Sequence, residues 1–397
     1  MYFCFFSGNI MNSFKHMNLP PKLLGALEAM TFHIPTPIQA KAIPEILFGK
    51  DLIGCAQTGT GKTAAFCIPL ICHLLKNREQ SALILVPTRE LAFQILGVLK
   101  KMAVPFAELR TALLIGGASM NVQIQDLSRR PRIMVGTPGR VIDHLNRRTL
   151  SVRNAKFLVL DEADRMLDMG FAPQLREIFR YLSQPRQTLL FSATFPSDIK
   201  EMAKKYLNNP TYISVGIASQ PVEEVKQSAI QTTSGTKNEA LLNALRERSG
   251  SVLIFTRTKR RTDMVSQFLR ERKLPADRIH GGLSQTQRNN AIREFRSNKN
   301  RILVATDIAA RGLDILHIEH VINYDLPLVP KDYVHRIGRT ARAGAQGEAL
   351  SLLVPEDYPV WKKISQLYQI RGSAMDKPER VSYQGHRKQR RFRSQHF

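Results

Sequence analysis

Residues 51–63 read DLIGCAQTGTGKT, a short apolar run that ends in a glycine-rich loop. Residues 64–75, which follow directly, can form a helix. Glycines let the backbone curl so that its N–H groups point at phosphate oxygens, and the start of a helix adds positive potential. The order strand, loop, helix therefore predicts a nucleotide site, with Lys62 at the β and γ phosphates and the Thr63 hydroxyl on Mg²⁺.

The match to the pattern GxxxxGK[ST] is imperfect, because Ala56 stands at the position of the first glycine. The strand and the helix on either side still favour a phosphate-binding loop. We therefore assign the loop to nucleotide binding, through Gln57, Thr58, Gly59, Thr60, Gly61, Lys62 and Thr63.

A second acidic motif, residues 161–164 (DEAD), follows the apolar run 157–160. A carboxylate at the carboxyl end of a strand is where a P-loop enzyme holds its metal ion. We expect Asp161 to hold Mg²⁺ through water and Glu162 to orient and deprotonate the attacking water. An acidic helix start without a chemical role is the alternative. The phosphate-binding loop upstream favours catalysis.

Outward from these motifs, short β-branched runs alternate with amphipathic stretches along the whole chain, which predicts parallel α/β sheets. At 397 residues the chain is too long for one ordinary core, so we expect two domains. The predicted strands are 51–55, 82–86, 112–115, 133–135, 157–160 and 188–191, then 252–256, 278–280, 302–305, 320–324 and 349–353.

Residues 215–225 (VGIASQPVEEV) lack helical periodicity and indicate a linker, with the domain boundary near Ser219. The predicted organisation is an N-terminal extension at 1–11, a first domain at 12–218, a second at 219–372 and a basic tail at 373–397. The tail holds seven Lys and Arg against two Asp and Glu. Both a solvated disordered tail and an RNA-gripping arm remain open.

The composition indicates which class of partner the protein binds and in which cellular compartment it works. A formal charge of +25 attracts phosphate polyanions, which favours nucleic acid over a merely soluble basic surface. The four cysteines form no CxxC pair, so we expect reduced thiols and a cytoplasmic protein. The apolar opening 1–6 lacks a basic region, and translation starting at Met11 is an alternative. No window approaches the ~18 apolar residues of a membrane span.

Seven motifs in this order resemble the DEAD-box RNA helicases of superfamily 2. They are 56–63, 87–92 (PTRELA), 137–140 (TPGR), 161–164, 192–194 (SAT), 305–314 (ATDIAARGLD) and 335–339 (HRIGR). The resemblance covers roughly residues 14–372. The stretch 160–171 (LDEADRMLDMGF), the short chain and the basic tail resemble bacterial RhlE-type members most closely.

The resemblance implies two tandem RecA-like domains, each a parallel sheet flanked by helices, with ATP and RNA bound across their cleft. Residues 32–39 (FHIPTPIQ) resemble the adenine-reading motif, which assigns Thr36 and Gln39 to ATP. Phe14 has the spacing of the aromatic that stacks on the base, although a core aromatic is the alternative. Thr31 stands where the family usually has glycine.

From the second domain, the resemblance assigns Arg336 and Arg339 as arginine fingers on the γ-phosphate. Asp314 corresponds to the residue that binds the ribose hydroxyls. Ser192, Thr194 and His335 are expected to couple the γ-phosphate region to RNA binding and to the domain contacts. Ala341 replaces the more usual glycine.

The family grips sugar and phosphate rather than base edges, so binding should tolerate any sequence. By motif match we expect this RNA track to comprise Arg89, Gly117, Thr137 and Arg140 in the first domain, and Arg257, Gly282 and Thr306 in the second. Singly, each motif also suits a turn or an exposed cation.

The expected function is that of an ATP-dependent RNA helicase. Two alternatives remain open. One is an ATP-dependent RNA clamp without useful unwinding, and the other is a DNA-directed helicase. A GTPase is disfavoured because the chain has no Asn-Lys-x-Asp string and Gln39 suits adenine. We expect a monomer that serves ribosome assembly, RNA decay or cold adaptation.

Overall fold

The fold is described from a computed structural model over residues 13–56, 59–215, 225–310, 318–340, 347–368 and 370. Several predictions of the sequence lie outside these residues. They are the extension at 1–11, the phosphate-loop residues Gln57 and Thr58, the boundary at Ser219, the ribose ligand Asp314, the Ala341 replacement and the tail at 373–397.

The first sheet has seven strands in the order β3-β4-β2-β5-β6-β1-β7, and all its strand pairs are parallel. The strands are β1 (Leu52–Ala56), β2 (Ser81–Leu85), β3 (Thr111–Leu114), β4 (Ile133–Gly136), β5 (Ala155–Leu160), β6 (Gln187–Ser192) and β7 (Thr211–Val215). Helices cover both faces, which explains why the central strands are continuously apolar and buried.

The helices that pack on this sheet follow a 3₁₀ turn at Phe14–Met17. They are α1 (Pro21–Ala29), α2 (Pro37–Leu47), α3 (Lys62–Lys76), α4 (Arg89–Met102), α5 (Met120–Ser128), α6 (Pro138–Asn146), α7 (Ala163–Asp168), α8 (Ala172–Tyr181) and α9 (Ser197–Tyr206). Each face of the sheet has its own core. In β5, Phe157 and Val159 enter one core while Leu158 and Leu160 enter the other, as the two-residue period of a strand requires.

The second sheet has six parallel strands in the order β10-β11-β9-β12-β13-β8. The strands are β8 (Val225–Gln231), β9 (Val252–Thr256), β10 (Ala276–Ile279), β11 (Ile302–Thr306), β12 (His320–Asn323) and β13 (Gly347–Leu353). Its helices are α10 (Lys237–Arg246), α11 (Lys259–Glu271), α12 (Gln285–Arg296), α13 (Asp307–Ala310), α14 (Pro330–Ile337) and α15 (Tyr358–Leu367), with a 3₁₀ turn at Pro355–Asp357.

The predicted fold class, two parallel α/β units, is confirmed. The sequence missed two strands, β7 and β8, and each is an edge strand of its sheet. Both are half exposed, so neither forms the continuous apolar run that marks the central strands. The strand predicted at 278–280 is displaced by two residues from its start at Ala276. No helix within the described residues is both long and apolar enough to cross a membrane.

Candidate functional site

The nucleotide motifs lie together at one edge of the first sheet. In a parallel sheet all strands end at the same edge, and β5, β6 and β1 are neighbours in the strand order. β1 leads into the phosphate loop, β5 ends just before Asp161, and β6 ends at Ser192. The strand order thus brings together three motifs that are spread over residues 56–194 of the chain.

The described part of the phosphate loop, residues 59–63, leads into α3 with its lysine turned inward. Gly59 and Gly61 have φ angles of +88° and +91°, a left-handed conformation that glycine adopts without strain. Lys62 begins α3, and its ammonium donates a hydrogen bond of 2.6 Å to the carbonyl of Ala56. Thr63 follows in the first turn of α3. The loop thus presents a cation and a helix start at the same point.

Gln39 connects helix α2 to the phosphate loop. Its Oε1 accepts from the Thr36 amide at 2.9 Å, and its Nε2 donates to the Gly61 carbonyl at 3.0 Å. Thr36 Oγ donates to the Thr60 carbonyl at 2.7 Å. Gln39 is 1% exposed and makes one bond to protein at each polar atom, which leaves one N–H and one lone pair, so its adenine-reading role stays a prediction. The pair positions the loop that holds the phosphates.

Phe14 is also buried. Its ring is 3% exposed and belongs to the core of the first domain. It meets Phe32 edge-to-face, with ring centroids 6.4 Å apart. This burial favours the core-aromatic alternative, and stacking on the base stays a prediction.

Asp161 is a buried carboxylate next to the phosphate loop. Burial raises its pKa to about 7, opposed by the charge of Lys62 and reinforced by that of Glu162. Such an environment favours a nearby cation, and carboxylate and hydroxyl oxygens are the ligands Mg²⁺ prefers. The described residues contain no cluster of three or more His, Cys, Asp or Glu that could hold a metal alone. Asp161 and Thr63 therefore fit a Mg²⁺ that also takes oxygens from phosphate and water.

Glu162 is held in a strained backbone conformation at the start of α7. Its φ angle is +52° and its ψ angle is 49°, in the left-handed region that residues other than glycine seldom occupy. The side chain is buried beside Asp161, whose Oδ1 accepts from the Glu162 amide at 2.9 Å. Strain of this kind persists where the surroundings over-determine a functional position, as expected for the residue assigned to the attacking water.

Asp164 links the DEAD motif to the SAT motif. Its Oδ2 accepts from the Thr194 hydroxyl at 2.7 Å and from the Thr194 amide at 3.1 Å. Ser192 Oγ donates to the Thr194 carbonyl at 2.6 Å, which closes the turn between them. Burial alone would raise the pKa of Asp164, but the hydrogen bonds from Thr194 and Ser192 outweigh it and lower that pKa.

His335 of the second domain faces this cluster across the cleft. Burial lowers its pKa to about 3, with Arg165 and Arg339 adding to the effect and Asp164 opposing it. The imidazole is therefore neutral near pH 7 and unsuited to proton transfer as an acid. Its place beside Asp164 agrees with the predicted coupling role.

The prediction for Arg336 is wrong. Its guanidinium forms two bonds to the Asp307 carboxylate, at 2.7 and 2.8 Å, and a third to Asn323 Oδ1 at 3.0 Å. The side chain is 1% exposed and lies over the Phe255 ring. Four of its five N–H donors bond to protein, the fourth to the Asp325 carbonyl, so Arg336 braces the interior of the second domain. Arg339 lies near His335 and stays the predicted finger.

The first-domain RNA residues follow β2, β3 and β4, the other half of the same sheet edge. The Arg89 guanidinium lies directly against Gly116 and Gly117, so closely that a Cβ on Gly117 would overlap it. Arg140 donates to the Ala118 carbonyl at 3.1 Å, and Thr137 caps helix α6. The four predicted residues therefore follow neighbouring strands at one sheet edge, beside the nucleotide motifs, with Thr137 buried.

The second-domain RNA residues follow β9, β10 and β11, which are also neighbours. The Arg257 amide donates to Asp325 Oδ2 at 3.0 Å, while its guanidinium is 44% exposed beside Asp357. The Gly282 amide donates to His280 Nδ1 at 3.1 Å, and Thr306 ends β11. This set, too, lies along one sheet edge.

Among the described residues, two ion pairs cross the cleft, and neither could be predicted from the sequence. Glu90 of α4 lies 2.7 Å from Arg288 of α12, with side chains 6% and 7% exposed. Arg165 of α7 lies 2.9 Å from Asp332 of α14. The first adjoins Arg89 of the RNA track, and the second adjoins the DEAD motif. Only the contact between domains reveals such partners, because nothing in a sequence pairs residues that are 167 or 198 positions apart.

Comparisons with known proteins agree with this arrangement. The profile of the DEAD/DEAH box helicases matches residues 36–202, and that of the helicase conserved C-terminal domain matches 236–344. The ATP-dependent rRNA helicase RRP3 of Candida albicans is 44% identical over 92% of this chain and 69% of its own length. The DEAD-box ATP-dependent RNA helicase CshA of Bacillus cereus is 41% identical over 93% and 70%.

Solved structures match the whole two-domain arrangement. S. cerevisiae Dbp5 bound to RNA and ADP BeF3 gives a TM-score of 0.81 at 31% identity, covering 91% of this chain and 95% of that one. Mss116p bound to ssRNA and AMP-PNP gives a TM-score of 0.82 at 29% identity, covering 91% and 78%. With both profiles, these relatives and the motif geometry in agreement, the chain belongs to the DEAD-box family of ATP-dependent RNA helicases.

Proposed function

We propose that this protein couples ATP binding and hydrolysis to closure of its two domains on RNA, and thereby separates short duplexes or remodels RNA–protein complexes. One observation carries the proposal. The nucleotide motifs and the RNA residues occupy adjacent halves of one sheet edge, β5-β6-β1 and β3-β4-β2. The second domain faces that edge and is tied to it at both halves by an ion pair.

The chemistry is divided between the domains. Lys62 binds the β and γ phosphates, Glu162 accepts a proton from the attacking water, and Arg339 stabilises charge on the transferring group. A Mg²⁺ bound by Thr63 and Asp161 would neutralise phosphate charge. Because Arg339 belongs to the second domain, hydrolysis requires the closed cleft.

Closure couples the two ligands. ATP and RNA each bind better to the closed form, so each raises the affinity of the other. A single strand can bend to follow a track shared by two domains, whereas an A-form duplex cannot follow it without losing base pairs. We therefore infer local strand separation without long-range translocation.

The client and the cellular setting are further parts of the proposal. RRP3 is named as an rRNA helicase, which together with the charge of +25 supports ribosomal RNA as a client. Residues 160–171 support a RhlE-type member. Ribosome assembly, with RNA decay or cold adaptation as other settings, a cytoplasmic location and a monomeric state complete the proposal.

The test measures ATPase activity and strand displacement on the same preparation. We expect RNA to stimulate ATP hydrolysis and short duplexes to separate much faster than long ones in a single cycle. Glu162→Gln should lower kcat by about 10²–10⁴-fold and retain ATP-dependent RNA binding. Equally fast unwinding of long and short duplexes would contradict local separation.

The same assays distinguish the alternatives. An RNA clamp would bind RNA with ATP but hydrolyse slowly and displace no strand. A DNA-directed helicase would prefer DNA when RNA and DNA oligonucleotides of one sequence compete. The intact Glu162 and Arg339 argue against the clamp, because a clamp gains from slow turnover.

A further inference from the structure

Two buried imidazoles lie behind the glycine loops of the RNA track, one in each domain. In the first domain His144 of α6 is fully buried, between Thr149 and Gln123. In the second, His280 follows β10 and is also buried. Neither histidine is among the residues assigned to nucleotide or RNA binding, so the hydrogen bonds that each one makes indicate its role.

The first-domain contacts form a directed chain of hydrogen bonds. Gln123 Nε2 donates to the Ile115 carbonyl at 3.0 Å, which fixes its Oε1 toward His144. That Oε1 lies 3.2 Å from His144 Nε2, so this ring nitrogen must carry the proton. His144 Nδ1 then accepts from the Thr149 hydroxyl at 2.8 Å. Burial lowers the pKa of His144, which keeps the ring in this neutral form.

This series of hydrogen bonds ends at the peptide unit between Ile115 and Gly116, next to the predicted RNA residue Gly117. Ile115 immediately precedes Gly116, and the two share a planar peptide unit in which C=O and N–H point in opposite directions. Fixing the Ile115 carbonyl inward therefore aims the Gly116 N–H outward, beside Gly117 and the Arg89 guanidinium. An aimed N–H is what a phosphate oxygen requires.

In the second domain a buried histidine also orients a glycine loop, but through the glycine amide itself and with a carboxylate as its other partner. His280 Nδ1 accepts from the Gly282 amide at 3.1 Å, and its Nε2 lies 3.0 Å from Asp263 Oδ1. A carboxylate can only accept, so Nε2 donates and Asp263 holds the ring in place. The Gly281–Gly282 peptide is thereby fixed, as the Ile115–Gly116 peptide is in the first domain.

We infer that Gln123 with His144, and His280 with Asp263, are positioning residues that set the backbone of the two glycine loops for RNA phosphates. The inference rests on the proposed RNA-dependent function and adds to it the residues that determine RNA affinity without touching RNA. Their loss should weaken RNA binding and leave nucleotide binding and chemistry intact.

The test uses the full chain, a single-stranded oligouridylate and a fluorescent ADP analogue. Gln123→Glu places a carboxylate oxygen opposite the Ile115 carbonyl, so we expect the KM for RNA to rise about tenfold. The kcat at saturating RNA and the affinity for the ADP analogue should stay within about twofold. Gln125→Glu, the same change at an exposed position of α5, should leave the RNA KM within about twofold.

The second domain has its own matched pair. His280→Phe removes the acceptor of the Gly282 amide and should raise the RNA KM similarly. His320→Phe changes an imidazole at the opposite, amino end of the same sheet and should not. Gln123→Met replaces Gln123→Glu if the latter lowers the melting temperature markedly. Hydrogen exchange of the Gly282 amide should quicken in His280→Phe, because this amide loses the ring nitrogen that accepts its hydrogen bond.

The outcomes separate the inference from the proposed function. An unchanged RNA KM in the Gln123 variants, together with unchanged Gly282 exchange in His280→Phe, overturns the inference while RNA-stimulated hydrolysis stands. A parallel loss of ADP-analogue binding also overturns it, because the residues would then serve general stability. A wild-type protein without RNA stimulation contradicts the proposed function, and the exchange rates then decide the positioning role alone.

Discussion

Arg288 and Glu90 form an almost completely buried ion pair of 2.7 Å between the two domains. Breaking it leaves an unpaired buried charge only in the closed form, since opening the cleft returns both groups to water. Arg288→Ala should therefore weaken RNA binding in the presence of a non-hydrolysable ATP analogue by about 2 kcal/mol or more, roughly 30-fold. Fluorescence anisotropy of labelled RNA measures this.

The control for that prediction is Arg293→Ala, which removes an exposed arginine from the same helix. It takes away the same charge but no contact between domains, so RNA affinity should change little. Equal losses in the two variants would show that general charge, and not the ion pair, supports binding.

The pair between Arg165 and Asp332 should act on the nucleotide side. Asp332→Asn should raise the KM for ATP about tenfold at saturating RNA, because the closed form loses a charge-assisted bond of 2.9 Å. Asp168 also approaches Arg165, at 3.7 Å, but from the same domain. Asp168→Asn should therefore have a clearly smaller effect. Steady-state ATPase assays compare the two, and a larger effect at Asp168 would contradict the assignment.

Arg336 and Arg339 should separate stability from catalysis. Arg336→Lys cannot reproduce the bonds to Asp307 and Asn323, so we expect the second domain to lose about 2–4 kcal/mol of unfolding free energy. Arg339→Lys should instead lower kcat by about 10²-fold or more with little change in melting temperature. Thermal unfolding and ATPase assays on both variants check this, and a stable but inactive Arg336→Lys would restore the finger assignment.

Thr31 has a φ angle of +62°, which a β-branched residue adopts only at a cost. Thr31→Gly should relieve the strain and raise the unfolding free energy by about 1 kcal/mol, after the greater freedom of glycine in the unfolded chain is subtracted. Thr31→Ala keeps a Cβ in the left-handed region and should gain less. Chemical denaturation measures the difference, and equal stability of the two variants would argue against strain.

The closed form should weaken in mild acid. His335 has a folded pKa of about 3 and an ordinary value of 6.5, so the unfolded chain binds more protons between these values. The stability from neutral His335 is complete above pH 6.5 and is lost progressively below it. Between pH 7.5 and 5.5 the wild type should lose about 1 kcal/mol more than His335→Gln. Urea unfolding at both pH values measures it, and equal losses would contradict the assignment.

Local patterns predicted the central part of the fold well. The continuous apolar runs that became β1, β5, β6, β9 and β11 reflect burial on both faces, so their positions could be read directly. The edge strands β7 and β8 have one open side and mixed polarity, and the pattern failed there. Mixed polarity, and not edge position alone, explains the failure, because the edge strands β3 and β10 were predicted.

The sequence predicted which residue types form the site, but it did not predict which residues they contact. Lys62, Asp161 and Glu162 follow strand ends, so their shared edge could be expected from topology. Arg336 and Arg339 are both arginines in one motif, and only the bonds of Arg336 to Asp307 distinguish its structural role from the role predicted for Arg339. The sequence identified Gln39 as a carboxamide that can donate and accept hydrogen bonds, but not that it donates to the Gly61 carbonyl of the phosphate loop. In each case the missing information was a contact distant in the chain.

The adjacency of Arg89 and Glu90 has a mechanical meaning. One residue faces the RNA track while the next is tied to Arg288 in the other domain. A tensile load on a bound strand, applied at Arg89, therefore reaches the buried ion pair through a single peptide bond and a rigid helix. The hydrogen-bonded strands of each sheet share such a load among many bonds, so we expect the ion pair to break before either sheet deforms. Force along the RNA should therefore favour opening of the cleft. We expect the protein to stay closed for a shorter time on a stretched strand than on a relaxed one.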